Sequence, residues 1–111
     1  MELLQEKCVA CRRDSPRVTE EEISELRPKI PEWSLTEENL VPQLQRSFRF
    51  PDFAQALVFS NTIGKTAESE GHHPRIVTEW GNVTISWWTH KIRGLHRNDF
   101  IMAAKTDRLY E

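Results

Sequence analysis

The sequence predicts an α+β domain in which an antiparallel sheet of three to four strands carries helices packed on one face. Three observations support this prediction. Segments with helical apolar spacing alternate with segments of period-two spacing, in the order α, β, α, β, β, α. Caps and turn residues separate these segments. At 111 residues, the chain is near the commonest size of a single domain.

The first helix is expected to follow an irregular N-terminal segment. Residues 1–17 contain no regular apolar spacing, so the domain proper is placed at residues 18–111. Thr19 and Glu22 have the spacing of a capping box, which predicts a short helix to about Arg27. Pro28 would end it.

One strand is predicted between this helix and the next, from Leu40 to Phe50, after a turn at Pro31 to Trp33. Apolar residues occupy alternate positions there, and Arg46 is the exception. The residues assigned to the inward face are Leu40, Pro42, Leu44, Phe48 and Phe50.

A longer helix is predicted from its two caps. Asp52 is a favourable N-cap residue, and Gly71 suits the position after the C-terminus, so the helix should extend to about Ser69. Its apolar face is expected to contain small residues at helical spacing, namely Phe53, Ala56, Leu57, Ser60, Ile63, Gly64 and Ala67.

The last third of the chain predicts a hairpin and a closing helix. The strands Ile76–Trp80 and Asn82–His90 flank a turn at Gly81-Asn82. A final helix follows from about Arg97 to Leu109. In the second strand one face is expected to carry Val83, Ile85 and Trp87, and the other Thr84, Ser86, Trp88 and His90.

Composition limits the possible partners. The net charge is −2 with acids and bases intermixed, so the chain has no basic face for nucleic acid or an anionic membrane. It has neither a signal-peptide pattern nor an apolar run of membrane-spanning length, which predicts a cytoplasmic protein. A small domain leaves much of its surface exposed, so a homo-oligomer is expected.

Two cysteines, Cys8 and Cys11, form a single CxxC pattern near the N-terminus. A zinc ribbon needs a second pair, and a thioredoxin-like motif must follow a strand and open a helix. Because neither context is present, we interpret the pair as incidental, although the neighbouring Arg12 and Arg13 could favour a thiolate.

Candidate functional residues are concentrated between Glu68 and Asp99. Three histidines, His72, His73 and His90, lie near the predicted ends of a helix and a strand. Glu68 precedes His72 by four residues, so its carboxylate could reach that imidazole and fix its tautomer. Such a set is suited to proton transfer, because histidine titrates near neutral pH, or to metal binding.

The segment ESEGHHPRIVTEWGNVTISWWTHKIRGLHRND resembles the pterin-4a-carbinolamine dehydratases, also called 4a-hydroxytetrahydrobiopterin dehydratases, of the bacterial type. The resemblance extends from about Glu20 to Arg108. Gly71 and Asn98 differ from some animal members, which have an acidic and a basic residue there. The family pattern is filled at every position, by Glu68, His72, His73, Pro74, Trp80, His90 and Asp99.

The resemblance implies dehydration of 4a-hydroxytetrahydrobiopterin to quinonoid dihydropterin, which recycles the cofactor of aromatic amino acid hydroxylases such as phenylalanine hydroxylase. It implies no cofactor, no metal, and a homodimer or homotetramer. His72 and His90 would be the acid/base pair, and His73 would bind and polarise the substrate. Glu68 would orient His72, and Asp99 would lie near His90 and stabilise its protonated form. Further substrate-binding residues would be Pro74, Trp88, Thr89, Lys91 and Ile92, and Trp33 and Trp88 are candidate pocket walls.

Three alternatives remain at this stage. The histidines could bind zinc with a water molecule, although adjacent histidines rarely chelate one ion. The chain could be a binding or dimerisation module, as some relatives of the family are. It could also be a dehydratase-like protein that acts on another pterin.

Overall fold

The computed structural model describes residues 3–9 and 15–111. In this part of the chain, three α-helices and four strands follow the order α, β, β, α, β, β, α, with one strand more than the sequence predicted before the second helix. The elements are α1 (Glu20–Leu26), β1 (Ser34–Glu38), β2 (Val41–Arg49), α2 (Phe53–Glu70), β3 (Arg75–Glu79), β4 (Asn82–Trp87) and α3 (Arg97–Tyr110).

The sheet is antiparallel with the strand order β1-β2-β4-β3, and helices α2 and α3 pack against it. Leu44 pairs with Trp87 and Phe48 pairs with Val83 across the central strands β2 and β4. All four of these side chains are buried. The α+β class and the antiparallel sheet predicted from the sequence are therefore confirmed.

The extra strand β1 was missed because little of it is buried. Its one aliphatic residue, Leu35, is largely exposed, so β1 lacks the alternation that marks a half-buried strand. Asn39 and Leu40 form the two-residue turn to β2, and both have positive φ, as a type I′ hairpin turn requires. Leu40, predicted to face the core, is consequently 85% exposed at this turn.

The turn of the second hairpin, between β3 and β4, also differs from the prediction. Glu79 pairs with Asn82, so the turn residues are Trp80 and Gly81 rather than Gly81 and Asn82. Gly81 has a φ of 73°, which glycine adopts without steric cost. Strand β4 ends at Trp87, three residues before the predicted end at His90.

Helix α2 has the predicted caps. The Asp52 side chain accepts a hydrogen bond of 2.8 Å from the backbone N–H of Gln55, and Gly71 is left-handed after the last turn. Phe53 and Leu57, assigned to the buried face, are instead substantially exposed. The buried residues of α2 are Ala56, Phe59, Ser60, Ile63 and Ala67.

Arg46, the polar exception in β2, has a defined role on the helix-facing side of the sheet. Its guanidinium lies 4.5 Å from the centroid of the Phe48 ring and donates to the Asp107 carboxylate at 2.6 Å. The indole N–H of Trp33 donates to the same oxygen at 2.7 Å. Arg46 and Trp33 therefore connect the sheet and the segment before β1 to α3.

Residues 3–9 of the N-terminal segment, which the sequence predicted to be irregular, contain a short regular element. Leu3–Gln5 forms a short 3-10 helix, and Leu3 is buried in the core cluster. The thiol of Cys8 donates to the backbone carbonyl of Asn98 at 3.9 Å, whereas Cys11 and Arg12-Arg13 lie outside the described residues. None of the helices described is long and apolar enough to cross a membrane.

Helix α3 begins with a capping box that contains a histidine. The Nδ1 atom of His96, the N-cap residue, accepts from the backbone N–H of Asn98 at 3.0 Å. The Asp99 carboxylate accepts from the backbone N–H of His96 at 2.9 Å. Burial lowers the pKa of His96, and His72 acts in the same direction, whereas Asp99 opposes the shift. The folded state therefore favours neutral His96, whose Nδ1 lone pair serves as the cap.

This cap should make stability depend on pH. Because the pKa of His96 is lower in the folded than in the unfolded chain, the unfolded chain binds the extra proton more readily as the pH falls. The stability that this cap contributes is complete at pH values above about 6.5, the pKa of histidine in an unfolded chain, and it decreases below that pH. We expect the urea midpoint to decrease less between pH 7.5 and 5.5 in His96→Asn than in the wild type, since asparagine caps without titrating.

Thr19→Asn is the matched control, because Thr19 also caps a helix, α1, and its side chain does not titrate. This control should keep the wild-type pH dependence. Equal pH dependence in His96→Asn and the wild type would show that the His96 cap does not titrate with folding.

Candidate active site

The centre of the site is the carboxylate of Asp99, which is fully buried in the first turn of α3. Its Oδ1 lies 2.6 Å from Nε2 of His72. Its Oδ2 accepts from the Thr89 hydroxyl at 2.8 Å and from the His96 backbone N–H at 2.9 Å. Three donors from different parts of the chain thus share one buried carboxylate.

The chain brings these groups together where three elements end. Helix α2 ends at Glu70, and Gly71, with a φ of 66°, turns the chain so that the N–H of His72 donates back to the carbonyl of Ala67. Thr89 follows the end of β4, and its backbone pairs with Gly94 in an isolated bridge. Asp99 comes from the N-terminus of α3, where a negative charge is favourable.

His72 is fixed on two sides. It is only 7% exposed, and its ring stacks on the indole of Trp87 with a centroid distance of 5.8 Å and an interplanar angle of 9°. The Asp99 carboxylate accepts from Nε2, so the Nε2–H form is the tautomer present in neutral His72. Nδ1 is then the nitrogen that can exchange a proton with a ligand.

The carboxylate partners of the histidines differ from those expected. Glu68 lies 3.2 Å from Nε2 of His73, not beside His72, and both side chains of this pair are exposed. The four-residue spacing predicts contact only inside a helix, whereas His72 follows the left-handed turn at Gly71. Asp99 contacts His72. The family resemblance had implied that Asp99 would instead lie near His90.

His90, unlike His72, is exposed. It begins the 3-10 helix His90–Ile92 rather than ending a strand, and its ring is 4.5 Å from the ring of Trp88. Its Nε2 lies 3.3 Å from the backbone carbonyl oxygen of His73. A carbonyl can only accept, so Nε2 of His90 donates and Nδ1 remains for proton exchange.

These residues surround an open cavity of about 350 Å³. Three predicted binding residues do not line it: Pro74 and Trp88 are half-buried, and Ile92 is buried. Trp33 belongs to the core, and the exposed Trp80 lies at the far end of the β3-β4 hairpin. The lining residues are Val9, Gly71, His72, His73, Thr89, His90 and Lys91.

Sequence reasoning missed several residues of the site. The spacing of His96 and Asp99 matches a capping box, but histidine is not among the preferred N-cap residues and was overlooked. Thr89, which was expected to bind substrate, lines the cavity, and its hydroxyl also donates to Asp99, a contact that the sequence did not predict. No pattern in the sequence connects Val9 with the histidines, because some sixty residues separate them.

The same geometry bears on the alternative that the histidines bind a metal ion. Within residues 3–9 and 15–111, no three His, Cys, Asp or Glu side chains converge in a way that could hold a metal ion. Nε2 of His72 faces Asp99, and Nε2 of His73 faces Glu68.

Comparison with known proteins identifies the family. A family profile described as "Pterin 4 alpha carbinolamine dehydratase" matches residues 16–109. A protein of Nitrosococcus oceani, named "Putative pterin-4-alpha-carbinolamine dehydratase", is 59% identical over 93% of this chain and 91% of its own length. A protein of Gloeobacter violaceus with the same name, numbered 1, is 55% identical over 98% of this chain and 94% of its own length.

Solved structures agree with this assignment. A crystal structure described as a transcriptional coactivator/pterin dehydratase from Brucella melitensis has a TM-score of 0.76 at 28% identity, covering 86% of this chain and all of that one. A second structure is described as a pterin dehydratase-like protein that is a RuBisCO assembly factor in the alpha-carboxysome. Its TM-score is 0.58 at 27% identity, covering 69% of this chain and 89% of that one. On the profile match and these identities, the chain belongs to the pterin 4 alpha carbinolamine dehydratase family.

Proposed function

We propose that the protein dehydrates 4a-hydroxytetrahydrobiopterin to quinonoid dihydropterin by histidine acid/base catalysis, and so recycles the pterin cofactor of aromatic amino acid hydroxylases. One observation carries the proposal. The imidazole of His72 is held by a buried carboxylate at a cavity that His90 and His73 also line.

The reaction needs two proton transfers. The C4a–O bond breaks as the departing hydroxyl gains a proton and leaves as water, and the N5–H bond loses its proton as the C4a=N5 double bond forms. One group must therefore donate a proton and another must accept one, so the number of protons held by the protein is the same before and after the reaction. Two histidines suit this task because each can hold or release a proton near neutral pH.

His72 and His90 are the proposed acid/base pair. In both, Nε2 faces an acceptor, Asp99 for His72 and the carbonyl of His73 for His90, so Nδ1 is the exchanging nitrogen. Asp99 would keep His72 in one orientation and stabilise its protonated form during the reaction. His73 and the exposed Lys91, at the cavity rim, would bind the polar groups of the substrate.

A binding module is the second candidate function. It is favoured by the structural neighbour whose description names it a RuBisCO assembly factor, because that protein shares this fold. A dehydratase-like activity on another pterin is the third. Turnover of the 4a-hydroxytetrahydropterin separates the first function from the second, and comparison of pterin substrates separates it from the third.

We further propose that the chain assembles as a homodimer or homotetramer. The outward side of α2 supports this, because three of its apolar residues are exposed: Phe53 and Leu57, which are one turn apart, and Val58. Burial of such residues between copies would remove apolar surface from water.

Catalysis should depend on the two histidines and on no metal. We expect His72→Ala and His90→Ala each to lower kcat by about 10²-fold, the usual contribution of a well-placed acid or base. The rate is measured spectrophotometrically as 4a-hydroxytetrahydropterin is consumed. EDTA treatment of the wild type should leave the rate unchanged. A loss of rate that zinc restores, or full activity in both variants, would contradict the proposal.

The Asp99 carboxylate should act on kcat rather than on KM. Asp99→Asn has the same shape, but its amide N–H₂ can face Nε2 of His72 and favour the other tautomer. We expect kcat to decrease by about 10²-fold or more, with KM changed less than about threefold. Thr89→Val, which removes one donor to Asp99 but leaves the His72 contact, should cause a smaller loss. A wild-type kcat in Asp99→Asn would refute this role.

Assembly can be measured by light scattering at micromolar concentration. We expect the mass of a dimer or tetramer, and a lower mass for Leu57→Glu, since a charge would have to be buried between copies. Ser69→Glu adds the same charge at an exposed position of α2, about three turns from Val58, and should keep the wild-type mass. A monomeric wild type would disprove the assembly proposal.

A further inference from the structure

Residues Leu3–Val9, here called the N-terminal strap, are fixed across the ends of α2 and α3 next to the histidines. Leu3 is buried in the core cluster. The Glu6 carboxylate accepts two hydrogen bonds from the Arg97 guanidinium, at 2.8 Å from Nε and 2.7 Å from Nη2. This bidentate pair holds the pKa of Glu6 below its ordinary value.

Near its C-terminal end, the strap is attached to the end of α2 through Cys8. The backbone N–H of Cys8 donates to Oε1 of Glu70 at 3.0 Å, and Lys105 donates to Oε2 at 3.4 Å. The Cys8 N–H, together with Lys105, holds the pKa of the Glu70 carboxyl below its ordinary value despite its burial. Glu70 is therefore an ionised anchor for the strap at neutral pH.

Asn98 fixes the residue that reaches the cavity. Its side-chain amide makes two hydrogen bonds with the backbone of Val9: Oδ1 accepts from the N–H at 3.0 Å, and Nδ2 donates to the carbonyl at 2.7 Å. Asn98 is almost completely buried and directly precedes Asp99. The same turn of α3 thus positions both His72 and Val9.

Val9 consequently presents an apolar side chain at the rim of the cavity that the three histidines line. Asn98 already binds both of its backbone polar groups, so the isopropyl group is what Val9 offers to a ligand. Val9 is 61% exposed, and among the described residues that line the cavity it alone is aliphatic. An immobilised, exposed apolar group gains free energy when a ligand covers it, without a further ordering cost.

We propose that Val9 is a substrate-binding residue whose side chain packs on the planar ring of a pterin bound at His72 and His90, and that Asn98 is its positioning residue. This inference rests on the proposed function. Because proton transfer belongs to the histidines, contact with Val9 should contribute to binding of substrate and transition state alike. Its loss should therefore raise KM and leave kcat nearly unchanged.

Val9→Thr tests the proposal directly, because threonine has the same shape and replaces a methyl group with a hydroxyl. We expect KM, and Kd for the stable pterin 7,8-dihydrobiopterin, to rise about fivefold, with kcat within about twofold of the wild type. Val77→Thr makes the same change at an exposed position of β3 away from the cavity and should leave all three constants unchanged.

Asn98→Ser supplies a second measurement, since serine cannot make both hydrogen bonds to Val9. We expect faster hydrogen exchange at the Val9 amide and the same rise in KM, with kcat retained. Unchanged KM and Kd in Val9→Thr would overturn the role of Val9 even if Asn98→Ser fails to fold. If the wild type neither binds 7,8-dihydrobiopterin nor turns over the 4a-hydroxytetrahydropterin, the proposed function falls, and this inference falls with it.

Discussion

The rest of the site depends on the need to satisfy one buried carboxylate. Asp99 is removed from water, so its charge must be compensated by hydrogen bonds and by the N-terminus of α3. Its three donors come from the chain after α2, the chain after β4 and the N-cap of α3. Satisfying this charge therefore requires three separate element ends to meet, which is how His72 reaches its position at the cavity.

The same constraint connects stability with the proposed chemistry. His96 caps α3 through Nδ1, while its backbone N–H contributes to the set of donors that holds Asp99. Removing a donor from a buried carboxylate leaves a charge only partly compensated, which costs more than an ordinary hydrogen bond. Substitutions that remove the His72 or Thr89 donor to Asp99 should therefore affect folding as well as turnover. For this reason kcat in variants of His72, Thr89 and Asp99 has to be expressed per molecule of folded protein.

The sequence predicted those features that are determined within a few residues. The caps of α1 and α2 follow from Thr19, Asp52 and Gly71, and the histidine set follows from its clustering along the chain. The carboxylate partners of the histidines were not predictable, because the left-handed turn at Gly71 ends the helical spacing on which the expectation relied. Strand β1 was missed since its residues are mostly exposed, and Val9 because its contact with Asn98 spans about ninety residues.

The free-energy cost of burying the His72–Asp99 pair bears on the choice between an enzyme and a binding module. A buried carboxylate and imidazole can commonly be replaced by apolar residues of similar volume with no loss of stability, or with a gain. A chain that only docks a partner through exposed surface, such as the outward side of α2, would not need His72 stacked on Trp87 and bonded to Asp99. What this arrangement provides is an imidazole of one tautomer and one orientation at the wall of an open cavity. Proton transfer uses both properties, whereas assembly uses neither.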